Sequence, residues 1–165
     1  MKLFKHVVRN MDQNVYIYFD ENSKEGVVID PGNDAEKVAA IIEENEVNVK
    51  AILLTHGHSD HTGAVNALKK KYNVPVAAHT WEVPVLEEES TSFNSMFGTD
   101  LVVPDMLFND GDEFKFEGCT LKVIHTPGHT QGGVCYYDKN TGALFTGDTL
   151  FYGSVGRTDF PNPPQ

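Results

Sequence analysis

Apolar and polar positions along this chain switch between two periods, and each switch marks an element. Residues 3–9 and 14–19 are rich in β-branched and aromatic side chains and predict two strands, with a turn over 10–13. The run Gly26-Val27-Val28-Ile29-Asp30 reads as a short buried strand stopped by Pro31-Gly32. Beyond it, Val38, Ile41 and Ile42 follow helical spacing, and Asp34 stands where an N-cap belongs. Ala51-Ile52-Leu53-Leu54 is a further buried strand that runs directly into Thr55-His56. Residues 62–72 predict a helix with Ala64, Ala67 and Leu68 on its apolar face. Lys69, Lys70 and Lys71 fall in its last turns, where the helix dipole favours them. Residues 75–78 complete the set with a third buried strand. Strands alternating with helices predict a layered α/β sheet.

The pattern then changes. Residues 90–100 are polar and predict a loop over one end of the sheet. From Glu113 onward strands dominate, at 113–116, 120–124, 134–137 and 143–145, with a turn over 138–142. An α/β half followed by a β meander predicts two sheets packed face to face with helices outside. A chain of 165 residues supplies one such core, so residues 1–165 are expected to form a single domain. The segment Phe160-Pro161-Asn162-Pro163-Pro164-Gln165 is suited to neither a strand interior nor a helix.

Composition narrows the function classes. No apolar run approaches the roughly 18–20 residues of a membrane span. Lys2, Lys5, His6 and Arg9 break up the N-terminal apolar residues, so no signal-peptide core forms there. Cys119 and Cys135 make no CxxC motif, and a reduced chain in the cytoplasm is the expectation. The net charge of −11 opposes binding to nucleic acid or to anionic membranes, so neither is expected as a partner. It does not oppose an anionic small molecule where a bound divalent metal reverses the local sign. The acidic run Glu87-Glu88-Glu89 reads as a solvated helix end or loop.

Four of the seven histidines lie in two short motifs. His56-Gly57-His58-Ser59-Asp60-His61 follows a buried strand and precedes a helix, and Thr126-Pro127-Gly128-His129-Thr130 follows another strand. A lone histidine is more often a solvated or hydrogen-bonded side chain than a ligand. Three histidines and an aspartate within six residues at a strand end are not explained by packing. Imidazole and carboxylate donors suit zinc, and also iron or manganese. In an extended segment positions i and i+2 share a side, so His56 and His58 are placed to face one ion. The turn into the helix aims Asp60 and His61 at a neighbouring position. Phe145-Thr146-Gly147-Asp148-Thr149 brings another carboxylate to a strand end. Asp30 reads as structural or as support for a ligand, since Asp-Pro-Gly is a strong turn sequence. His6, His79 and His125 receive support roles or none.

The three motifs, HGHSDH at 56–61, TPGHT at 126–130 and TGDTLF at 146–151, resemble the metallo-β-lactamase superfamily in order and spacing across essentially the whole chain. The resemblance implies a four-layer αββα sandwich with the metal site at the sheet ends. It implies one metal held by His56, His58 and His129, a second held by Asp60 and His61, and Asp148 bridging the pair. Zinc is the expected metal, one or two ions, with iron or manganese as alternatives. TGDTLF followed by GSVGRTDF at 153–160 is similar to the glyoxalase II-like hydrolases. That likeness implies hydrolysis of a small-molecule thioester or ester by a metal-bound hydroxide, with Asp60 as the catalytic residue that orients the nucleophile. Arg157 stands where those enzymes carry a basic residue for the substrate carboxylate, and is the substrate-binding candidate.

The family pattern also places one more histidine well after the bridging aspartate, and this sequence has none after Asp148. The last strand and helix of the sandwich are therefore expected to be missing. Water or a partner chain would complete the second site, the uncovered sheet edge would favour a homodimer, and activity would be impaired if neither did. The alternative enzyme class is a sulfur (persulfide) dioxygenase with one iron on His56, His129 and Asp148, which shares the GRTDF segment. The remaining alternative is a shortened chain without catalysis.

Overall fold

The computed structural model describes residues 1–8, 12–91, 100–151 and 154–156. Its elements are β1 (Lys2–Val8), β2 (Gln13–Phe19), β3 (Glu25–Ile29), α1 (Ala35–Glu44), β4 (Asn48–Leu53), α2 (Ser59–Thr62), α3 (Val65–Tyr72) and β5 (Val76–His79). A single 3₁₀ turn (Thr80–Glu82) leads into α4 (Val83–Thr91) and β6 (Met106–Phe108). Then follow β7 (Glu113–Phe116), β8 (Cys119–His125), β9 (Val134–Asp138), β10 (Leu144–Phe145) and the small hairpin of β11 (Leu150–Phe151) and β12 (Ser154–Val155).

Six strands form the first sheet in sequential order β1 to β6, and four form the second in the order β10-β9-β8-β7. The first three strands pair antiparallel, while β3 through β6 pair parallel, and the second sheet is antiparallel throughout. Parallel neighbours need crossovers, and α1, α2 with α3, and α4 supply them. Alternation in β4 explains the layering. Ala51 and Leu53 face the second sheet with Val27, Ile29, Leu121, Val123 and Tyr136. Ile52 and Leu54 face the helices with Val38, Ile42, Val65, Leu68 and Leu86. A strand buried on both faces reads as a continuous apolar run, which is why AILL carries no polar interruption. Helices, sheet and sheet stack as the first three layers of the expected αββα sandwich.

Four local expectations differ from the structure. The helix expected over 62–72 is two helices separated at Gly63-Ala64, because the Ala64 amide leaves the helical ladder to bond the Pro31 carbonyl at 2.9 Å. That bond pins the histidine motif to the end of β3. Ala67 is exposed, and Val65 takes its place on the buried face beside Ala64 and Leu68. Asp34 is the N-cap of α1 and its carbonyl accepts from Val38 N at 2.9 Å, but its side chain makes no capping bond; its backbone is left-handed (φ 59°) and its carboxylate faces His6 Nε2 at 2.9 Å. Part of the expected 90–100 loop is the end of α4, on which Glu87 and Glu88 are exposed. The rest of that loop, part of the 10–13 turn, and the 160–165 segment lie outside the described residues.

Candidate metal centre

The site gathers at the C-terminal ends of the parallel strands, where open α/β sheets place their ligands. β4 releases the chain at Leu53, and the following extended segment carries His56, which is 2% exposed. His58 remains extended at the start of α2, and the first turn of that helix swings Asp60 and His61 to the other side. The β8–β9 loop is closed by Thr126 N donating to Gly133 O at 2.8 Å and Gly128 N donating to Thr130 O at 3.0 Å, which fixes His129 between them. The turn after β10 brings in Asp148, closed by Thr149 N donating to Thr146 O at 3.0 Å.

These segments converge as two groups around one carboxylate. His56, His58, His129 and Asp148 offer nitrogen and oxygen atoms that all lie within 4.8 Å of one another. Asp60, His61 and Asp148 form a second group by the same measure. Asp148 divides its oxygens between them: Oδ2 lies 3.1 Å from His129 Nε2 and 3.5 Å from His56 Nε2, while Oδ1 lies 3.3 Å from His61 Nε2. His58 Nδ1 approaches His129 Nε2 to 3.1 Å, and Asp60 Oδ2 lies 3.6 Å from His61 Nε2. All six residues singled out in the sequence as metal-ligand candidates are thus brought together. Arg157 lies outside the described residues.

The electrostatics fit a divalent cation. Burial pushes His56 down to about 3, with His61 adding repulsion, and burial followed by His129 pushes His58 down to about 4. Both rings are therefore neutral near pH 7, with a lone pair to offer. His56 Nε2 is buried and has no hydrogen-bond partner among the described residues. A buried ring nitrogen without a partner, facing a carboxylate and two further imidazoles, is the arrangement that a metal ion satisfies. Burial opposes charge on Asp148, but His129, His56 and His61 outweigh it and hold its carboxyl well below the usual carboxylate range. Burial also opposes charge on His61, and Asp30, Asp148 and Asp60 overcome it, raising that ring to about 10.

Asp30 supports the site. It is 2% exposed, and Oδ1 accepts from Thr55 N at 2.8 Å. Its Oδ2 accepts from Thr55 Oγ1 and lies 3.0 Å from His61 Nδ1. An ionised carboxylate only accepts, so His61 donates from Nδ1 and turns Nε2 toward Asp148. His79 and His125 stay out of the cluster. Their rings stack at 4.2 Å, His79 Nδ1 accepts from Trp81 N at 3.0 Å, and His125 Nε2 meets Gln131 O at 2.7 Å. His6 pairs with Asp34. The sequence reading missed Glu82, which is wholly buried behind both histidine loops. Nothing in the Thr80-Trp81-Glu82 pattern sets this glutamate apart from a surface residue; only the buried strand before it hinted that its neighbourhood was interior.

The fold and this site define a metal-dependent hydrolase. The chain belongs to the metallo-beta-lactamase superfamily, whose sequence profile matches residues 9–165. It is 38% identical over 158 residues to the hydroxyacylglutathione hydrolase GloC of Haemophilus influenzae, covering 93% of this chain and 74% of that one. It is 34% identical over 145 residues to the probable metallo-hydrolase YqgX of Bacillus subtilis, covering 86% and 69%. Among solved structures it is similar to the BLEG-1 B3 metallo-beta-lactamase, with TM-score 0.87, 35% identity, and coverage of 97% of this chain and 78% of that one. TTHA1623 in a di-iron-bound form gives TM-score 0.82 and 34% identity, covering 96% and 78%. Members of the superfamily bind metal ions; these likenesses do not fix which metal this chain takes.

Proposed function

We propose that this chain is a two-metal hydrolase of small-molecule thioesters, with zinc as the metal. The observation that carries this reading is the division of the Asp148 oxygens between two donor groups, which is the geometry of a shared ligand. His56, His58, His129 and Asp148 would hold one ion, and Asp60, His61 and Asp148 the other. When bound, such ions lower the pKa of water toward neutrality and polarise a carbonyl. Asp60 then orients the attacking water and accepts its proton at a carboxylate oxygen; burial raises this carboxyl above its ordinary value, which favours proton uptake. His61, held by Asp30, keeps its Nε2 aimed at the same region. A thiolate leaves without a strong general acid, so this chemistry asks no residue of the site to protonate the leaving group. The hydroxyacylglutathione hydrolases among the relatives support the thioester class. Arg157 is the proposed contact for a carboxylate on the substrate. Two free, buried cysteines support a reducing compartment, and we place the protein in the cytoplasm.

Elemental analysis of protein purified without added metal, paired with hydrolysis of a hydroxyacyl-glutathione thioester, tests this reading. The expected result is about two zinc ions per chain and thioester cleavage that is lost on chelation. One iron per chain, with oxygen uptake in the presence of a persulfide, would overturn it in favour of the dioxygenase.

A further inference from the structure

Glu82 belongs to neither histidine motif and is 0% exposed. Its Oε2 accepts from the Gly57 amide at 2.7 Å, and its Oε1 accepts from the Gly132 amide at 3.2 Å. Gly57 is the residue between His56 and His58, and Gly132 lies in the same loop as His129. One buried carboxylate therefore ties together the two loops that supply three histidines from distant parts of the chain. The contact is close on the backbone as well: a Cβ on Gly132 would lie 2.5 Å from the Glu82 nitrogen, so this loop packs directly on the 3₁₀ turn. The turn owes its direction to His79, whose Nδ1 accepts from the Trp81 amide and bends the chain at the end of β5.

We propose that Glu82 is a positioning residue for the His56, His58 and His129 group, setting the spacing that this group offers to a cation. The proposal rests on reading that group as a metal site. Two backbone donors from separate segments point at one side chain, and only a carboxylate meets both with acceptors. A glutamine offers one acceptor and one NH₂ group, so one loop amide would face a donor and the loops would move apart. The two hydrogen bonds of Glu82 to these loops run to backbone amides, so it acts on the ligand spacing through the loop backbone.

The test uses Co²⁺ as the probe on the full chain, comparing wild type with Glu82→Gln and Glu82→Asp. Three quantities are read: Co²⁺ affinity by chelator competition, the visible absorption of the bound Co²⁺, and the thermal stability of the metal-free protein. The expected result for Glu82→Gln is an affinity of the tighter site weakened about 10–100-fold, with displaced visible bands. Glu82→Asp keeps both acceptors on a shorter side chain, and its bands should move less than those of the glutamine variant. Wild-type affinity and bands in a folded Glu82→Gln protein would overturn the proposal, even if thermal stability fell, because Glu82 would then be a packing residue only. If Glu82→Gln does not fold, Glu82→Asp decides: unchanged bands and affinity overturn the proposal and displaced bands support it. A wild-type protein that binds no Co²⁺ overturns the metal reading and this proposal together; a wild type that binds Co²⁺ beside variants that match it overturns this proposal alone.

Discussion

Asp30→Asn separates the two metal positions. The side chain keeps its size, and asparagine tolerates the left-handed backbone of this position (φ 52°) at least as well as aspartate does. In the native chain Oδ1 takes the Thr55 amide while Oδ2 faces both the Thr55 hydroxyl and His61 Nδ1. With asparagine, Oδ1 still accepts from Thr55 N, and the new NH₂ can donate to Thr55 Oγ1. It cannot accept from His61. The ring must then present a bare Nδ1 to the NH₂ group and carry its proton on Nε2, the atom aimed at Asp148 Oδ1 and Asp60 Oδ2. A protonated Nε2 has no lone pair for a cation. A hydrogen bond to a charged group is worth about 1.5–3 kcal/mol, and 1.4 kcal/mol is a factor of ten. The second ion should therefore bind about 10–100-fold more weakly, with the first ion little changed because the Thr55 contacts survive. Calorimetric titration of metal-free protein with Zn²⁺ resolves the two events, and thermal melting checks the fold. Unchanged binding of both ions by a folded variant would refute the tautomer argument. An equal loss at both positions would show that Asp30 holds the whole site rather than His61.

Three further outcomes follow from the same geometry. Tyr136 is fully buried and its hydroxyl donates to the Leu54 carbonyl at the entry to the histidine motif, so Tyr136→Phe orphans that carbonyl at a cost of about 1–3 kcal/mol, read as a fall in Tm with metal binding retained. A Cβ at Gly32 would lie 1.8 Å from the Asp60 carbonyl oxygen, so Gly32→Ala should displace Asp60, destabilise the chain by about 1–3 kcal/mol and weaken the second ion; calorimetry with wild-type second-ion affinity would contradict this. In metal-free protein, His56 and His58 sit at about 3 and about 4, below their ordinary 6.5, so the folded chain takes up fewer protons than the unfolded one and loses stability as pH falls below 6.5. His61, at about 10, acts in the opposite sense: its contribution is complete below 6.5 and is lost as pH rises through 10. Together these three rings place a stability maximum near pH 6.5, and urea unfolding of the metal-free protein at acidic, near-neutral and alkaline pH should show it.

The strands of the buried sheet were legible because each face of β4 has its own core. Ile52 and Leu54 pack toward helices while Ala51 and Leu53 pack toward the second sheet, so no polar residue interrupts the run. Elements whose signal comes from contacts rather than period were not legible. β6 is three residues at a sheet edge, one of them exposed, and no periodicity fits in so short a strand. The division of α2 from α3 arises from a single hydrogen bond to Pro31, more than thirty residues away in sequence. Asp34 is the N-cap residue of α1, as its type and place predict, but its side chain makes no capping bond because His6 on β1 takes the carboxylate.

The same distinction runs through the site. Metal-donor side chains announce themselves, because three histidines and an aspartate in six positions after a buried strand have no packing rationale. The residues that aim those donors do not. Asp30 sits in a sequence that also makes a good turn, and Glu82 sits in a stretch that resembles a helix start. What gives both a role is burial: a carboxylate taken out of water must find donors, and the donors within reach are the amides and rings of the histidine loops. Asp30 at the end of β3 and Glu82 just after β5 flank His56 beyond β4, so neighbouring parallel strands deliver the supports to either side of the ligand segment. The parallel order of β3, β4 and β5 is thus what lets two carboxylates, separated by some fifty residues of chain, brace one short motif.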